Sequence, residues 1–168
     1  MNVTAKMALH LIPEQLKSQP VFLCIDDTII SKFGTKFENV SKLFDHATHN
    51  GCNYLNGHCF VSLMLCVPVW NRDKISYLAV PLGYRMWQKK ESKLELAASM
   101  VRHVMPEFSS QKNVIILCDS WYTKQNLVSI LLQLLRSFTS PFAQEILEIL
   151  INKNTKGYDL RGIKYNRN

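Results

Sequence analysis

No stretch of this sequence is apolar for long enough to cross a membrane. The longest nearly continuous run, Cys59 to Trp70, has about a dozen residues and is interrupted by Ser62 and Pro68, whereas a spanning helix needs roughly 20. Met1 to His10 carries one lysine and no apolar core, so it does not read as a secretory signal. C-x-x-C pairs are missing as well. Five cysteines, Cys24, Cys52, Cys59, Cys66 and Cys118, make an odd set, three of them inside apolar runs, which argues for reduced thiols rather than a disulfide scaffold or a zinc finger. Glycine and proline contribute six residues each, too few for a collagenous or low-complexity chain, and no internal repeat is visible. Acidic residues are also in short supply, with 13 Asp and Glu against 20 Lys and Arg and a formal charge of +7. A basic surface concentrates polyanions, and nucleic acid is the simplest such partner.

What is present is a substantial apolar fraction, 47% of 168 residues. A chain of this length buries roughly two-thirds of its unfolded surface. The expectation is one soluble, cytoplasmic domain with its own core and no membrane partner.

Residues 1–19 read as a helical lead-in broken at Pro13. Val21 to Ile25 is an apolar, β-rich run ending in Asp26-Asp27-Thr28, as expected of a strand buried on both faces. Residues 31–57 are polar, with Gly34, Gly51 and Gly57, and predict a long loop. His58 to Trp70 and Ile75 to Leu82, joined by Asn71-Arg72-Asp73-Lys74, predict a β-hairpin. From Glu91 to Met105 the period changes. Leu94, Ala97, Ala98, Val101, Val104 and Met105 share one helical face, while Lys93, Glu95 and Arg102 lie off it. Ser92 and Glu95 form a capping-box pattern, and Pro106 marks the stop. Val114 to Cys118 repeats the first strand's design and again ends in aspartate, Asp119. Helices are expected from about Lys124 to Arg136 and from Phe142 to Asn152, with a frayed basic tail beyond Lys153. This order predicts an α/β fold, a mixed sheet of an antiparallel hairpin and parallel strands flanked by helices.

The two strand-ending carboxylates, Asp26 or Asp27 on one and Asp119 on the other, meet at one sheet edge if their strands are neighbours. Converging carboxylates offer the hard oxygens that Mg2+ or Mn2+ prefers, and a pair of such ions stabilises the attacking and leaving oxygens of phosphoryl transfer. Aspartates after strands also serve as turn-formers and caps.

The segment FLCIDDTIISKFGTK (Phe22 to Lys36), a long polar loop, the hairpin opening at NGHCFVSLML, the LGYR turn and VIILCDSWYTK together resemble the catalytic domain of bacterial insertion-sequence transposases, members of the DDE superfamily. The resemblance spans roughly residues 20–130 and implies an RNase H-like fold, incomplete at its C-terminus. Residues 131–168 form a divergent helical and basic tail. It further implies metal-dependent DNA cleavage and strand transfer in the bacterial cytoplasm, with transposon ends and target DNA as partners and a homodimer as a further expectation. The first catalytic and metal-binding carboxylate falls on Asp26, which shares the alternating face of Phe22 and Cys24, with Asp27 as the alternative. The second falls on Asp119. DNA phosphates would meet Lys32, Lys36, Arg85, Lys89, Lys90 and Lys124.

A third carboxylate, a glutamate on a late helix, is not matched. Glu145 and Glu148 lie only about thirty residues past Asp119, without the tyrosine and arginine of the family's signature. The sequence therefore reads as a truncated copy of a transposase, or as a catalytically inactive DNA-binding remnant of one. Trp87, Trp121 and Tyr122 are candidates for stacking on bases or for closing a core edge, and His46, His49 and His58 for structural or DNA-contacting roles.

Overall fold

The computed structural model describes residues 1–34, 36–44, 53–111, 113–118 and 149–151. Six strands form one mixed sheet: β1 (Val21–Ser31), β2 (Ser41–Phe44), β3 (Tyr54–Asn71), β4 (Lys74–Met86), β5 (Val114–Cys118) and β6 (Ile149–Ile151). Two helices, α1 (Asn2–His10) and α2 (Lys93–Val104), and short 3-10 turns at Glu14–Leu16 and Met105–Phe108 complete the described elements. Strands β2 and β4 both pair with β3, and the order continues β3-β1-β5-β6. The β1–β3, β2–β3 and β3–β4 pairs are antiparallel, whereas β1–β5 and β5–β6 are parallel. The expected mixed α/β sheet is therefore present, with few helices beside it.

Alternation along β1 sorts the two sides of this sheet. Val21, Leu23 and Ile25 are buried, and across the ladder they meet Leu65, Leu63, Val114 and Ile116, also buried. Leu94, Ala97, Ala98, Val101 and Val104 of α2 and Ala5, Ala8 and Leu9 of α1 close onto that side, so the lead-in helix belongs to the same core. We call this the helical face. The reverse face carries Phe22, Cys24 and Asp26 of β1, opposite Cys66, Met64 and Ser62 of β3.

Several local expectations hold. Ser92 Oγ accepts from the backbone N–H of Glu95, and the Glu95 carboxylate accepts from the Ser92 backbone, a closed capping box. Those hydrogen bonds hold the Glu95 carboxyl below the usual glutamate range. Arg72 and Asp73, both in the left-handed region at φ 47° and 63°, make the two-residue turn joining β3 to β4, the geometry that matches the twist of a hairpin.

Others need correction. β1 does not stop at Ile25 but runs through both aspartates to Ser31, because β3 offers a ladder partner at every position as far as Gly57. Gly57 is required there: a Cβ at this position would lie 2.4 Å from the Ile30 carbonyl oxygen. The polar segment 31–57 is not a continuous loop, since β2 lies within it. LGYR is not a turn. It continues β4 around a bulge in which the pairing jumps from Leu63 with Gly83 to Met64 with Pro81. Leu82, the extra residue, is buried. Pro81, which lacks an N–H, is tolerated on this outer strand. Within the helix expected from Phe142 to Asn152, Ile149–Ile151 is a strand paired in parallel with Ile116 to Cys118, and the rest of that segment, like the helix expected from Lys124 to Arg136, lies outside the described residues. Three consecutive apolar residues carry no period of their own, and the ladder of β5 decides between helix and strand.

Candidate functional site

The two adjacent aspartates of β1 project from opposite sides of the sheet, as successive residues of a strand must. Asp26 is exposed on the reverse face, and its Oδ1 accepts the Asp27 backbone N–H at 2.8 Å. Opposite it, Ser62 is the buried polar residue of the described core, and its hydroxyl donates to the Asp26 carbonyl at 3.1 Å. That bond fixes the backbone from which the Asp26 carboxylate leaves.

Asp27 has a different environment. Its Oδ2 accepts from Lys93 Nζ at 2.6 Å and from the Cys59 thiol at 3.4 Å. The lysine side chain is 16% exposed and the aspartate 22%. Lys93 also lies over the Trp87 ring, 5.5 Å from its centroid. Burial disfavours the charged ammonium, but the hydrogen bond and charge of Asp27 outweigh it and hold Lys93 above the usual lysine range. Burial likewise pushes the Cys59 thiol up, with Lys93 partly offsetting it. Lys93, which the helical period sets off the buried stripe of α2, is thus tied down on the helical face. A signal for this existed in the sequence, because a cation in the first turn of a helix opposes the helix dipole and calls for an anionic neighbour.

The basic residues divide in the same way. Lys32 follows β1, its backbone N–H donating to the Asn56 carbonyl at 2.8 Å. Lys36 is exposed shortly beyond it. Arg85 pairs across the ladder with Val61, itself paired with Asp27, and its Nη1 donates to Ser99 Oγ of α2 at 3.1 Å. Arg85 therefore stands on the helical face, away from Asp26. Lys89 and Lys90 are exposed in the segment between β4 and α2, Lys89 with a left-handed backbone at φ 62°. Trp87 packs against the core and donates its indole N–H to the Glu91 carbonyl at 2.7 Å, so it closes a core edge. His58 donates through Nε2 to the Glu38 carbonyl at 2.8 Å. Asp119, Lys124, Trp121, Tyr122, Glu145, Glu148, His46, His49 and Cys52 lie outside the described residues.

What is described of the second carboxylate's strand is its approach. Ile25 pairs in parallel with Cys118. Asp26 and Asp119 are the residues that follow this matched pair in the sequence. No protein-family model, curated protein or solved structure matches the chain. Among the described residues, no three His, Cys, Asp or Glu side chains come together as a metal-holding group, and no helix is long and apolar enough to cross a membrane.

Four free thiols complete the picture among the described residues. Cys24 and Cys66 face each other on the reverse side with sulfurs 3.8 Å apart. Burial first, then the neighbouring Cys66 sulfur, pushes the Cys24 thiol up to about 12, which leaves it protonated and unreactive at neutral pH.

Proposed function

We propose that this chain carries an RNase H-like catalytic core of the DDE transposase type, which cleaves and joins DNA strands with Mg2+ or Mn2+. The observation that carries this reading is the register of β1 against β5. With Ile25 opposite Cys118, Asp26 and Asp119 each stand one peptide bond, about 3.8 Å between Cα atoms, past a directly matched pair. The mixed order of antiparallel strands followed by parallel ones supports the same fold, with β6 adding a second parallel neighbour beside β5.

The donor set fits a hard cation. Asp26 presents carboxylate oxygen on an exposed face, and Asp119 would add a second. Asp27 is the poorer ligand, since Lys93 and Cys59 occupy its Oδ2 on the far side of the sheet. A bound ion would polarise a phosphodiester and lower the pKa of a metal-bound water. The chain's own contribution is to hold the Asp26 backbone rigid through Ser62 and to draw DNA phosphates with Lys32 and Lys36.

A Mg2+- or Mn2+-dependent nicking assay on supercoiled and linear DNA tests this reading. Cleavage by the intact chain that is abolished by Asp119→Asn supports it. The absence of a matched glutamate favours the alternative of an inactive DNA-binding remnant. Salt-sensitive DNA binding without metal-dependent cleavage would select that alternative.

A further inference from the structure

We infer that the reverse face, beyond Asp26, is a track for unpaired DNA ending in a lysine and aromatic platform built from the end of β1, β2 and the start of β3. The inference deepens the proposed function and rests on it only for the choice of DNA as the polyanion. From Asp26 to Lys32 is six residues along the strand, about 20 Å, or about six stacked nucleotides. Antiparallel β3 lies beside β1 from Ser62 back to Gly57 and beside β2 from Gly57 back to Tyr54. Asn56 is flanked on one side by Lys32, through the backbone bond to its carbonyl, and on the other by Lys42, its ladder partner on β2. Alternation therefore puts both lysines on the same side of the sheet as Asp26.

The aromatic side chains interleave with them. Lys42 Nζ lies 5.1 Å from the centroid of Tyr54, and the Tyr54 and Phe44 rings meet edge to face at 5.3 Å. Lys32 Nζ lies 5.3 Å from the centroid of Phe37. His58 and Phe60 pair edge to face on the way back towards Ser62. Tyr54 is 52% exposed and Phe44 41%. Neither β2 nor β3 contains an acidic residue. Cations that draw in phosphates, beside exposed rings that accept any base, are the two components of sequence-tolerant single-strand binding. The charge selects an anionic partner, and the rings add contacts that a duplex, with its bases stacked internally, does not use.

The test is fluorescence anisotropy of a labelled oligo-dT of about twelve nucleotides, within the site sizes of single-strand binders, with the full chain in EDTA, where no metal-dependent step contributes. Lys32→Gln combined with Lys42→Gln should weaken binding about tenfold and lower the double-logarithmic salt slope by about 1.4, or about 0.7 for each phosphate no longer neutralised. Tyr54→Leu should weaken binding about tenfold and Tyr54→Phe should preserve it. Lys6→Gln, on α1 across the sheet, should change nothing. Unchanged affinity and slope in the double lysine variant, or equal tolerance of Leu and Phe at position 54, overturns the proposal. So does duplex DNA of the same length binding as tightly as the single strand. Binding is read in EDTA and nicking only with Mg2+ or Mn2+, so failure of the track and failure of the catalytic reading give different results.

Discussion

The helical face of the sheet uses its charged residues to hold the fold together, and the reverse face leaves its charged residues available. Asp27 and Asp26 are neighbours in sequence and differ chemically only through their surroundings. Yet Asp27 is engaged by Lys93 and Cys59 beneath α2, and Asp26 is exposed with its backbone braced by Ser62. The difference teaches that a pair of identical residues on a strand is never a duplicate. One inherits the core's constraints, and the other inherits the solvent.

The largest expected effect that separates the faces is in packing. Leu23, fully buried on the helical face, should lose about 2–5 kcal/mol of stability on substitution by alanine. Cys24, its half-buried neighbour on the reverse face, should lose markedly less as Cys24→Ala. Urea denaturation of the two variants gives the comparison directly, and equal losses would erase the distinction.

Lys93→Met should come next, at about 1–3 kcal/mol, because it leaves the mostly buried Asp27 carboxylate without its charged donor. Asp27→Asn in the same background should recover part of that loss. A double-mutant cycle by thermal or urea unfolding measures the coupling.

The pH response draws on both faces, and its sign follows from the directions of the shifts. Cys24, Cys59 and Lys93 all have folded-state values above their ordinary ones. Each contribution is complete below the unfolded-state value and is lost as pH climbs through the folded one. Stability should therefore fall on the alkaline side, with Cys24 responsible for a part lost between 9.0 and about 12. Cys24→Ala should flatten the curve in that window and leave the acid limb unchanged in a pH series of urea midpoints.

The smallest effect concerns neither carboxylate. Ser92→Ala removes the cap of α2 and should cost about 1 kcal/mol, read from the shift in urea midpoint. Because α2 also carries Lys93, this variant sharpens the comparison by loosening the helical face at its edge without touching Asp27.

Much of the fold is legible in the sequence where local chemistry and tertiary environment agree. Val21 to Ile25 and Val114 to Cys118 are apolar because they lie in the middle of the sheet, and Ser92 and Glu95 cap α2 with each other's side chains. The hairpin turn at Arg72 and Asp73 is likewise marked by the polar residues that interrupt two apolar runs. Legibility fails where a partner strand decides. Asp26-Asp27-Thr28 ends the apolar run and reads as the polar end of the strand, yet pairing with β3 keeps the chain extended to Ser31. Ile149 to Ile151 has no periodicity to contradict a helix until β5 claims it.

The site is legible to a different degree. Alternation alone separates Asp26 from Asp27 and favours Asp26, since Phe22 and Cys24 lie on its side. The partner that occupies Asp27 comes from sixty-six residues away in sequence, and only the packing of α2 reveals it. Arg85 appears in the sequence as one basic residue among several near the aspartates. Its parity along β4 sends it instead to Ser99.

The central claim is that Asp26, not Asp27, joins Asp119 in holding a divalent ion. Titration of Mn2+ into the chain, with the free ion counted by electron paramagnetic resonance, tests it most directly when applied to Asp26→Asn, Asp119→Asn and Asp27→Asn combined with Lys93→Met. The account predicts that the first two variants lose Mn2+ binding while the third, whose removed pair lies on the helical face, retains it. Retention by Asp26→Asn together with loss in the Asp27 and Lys93 variant would contradict it, as would an unmodified chain that binds no Mn2+.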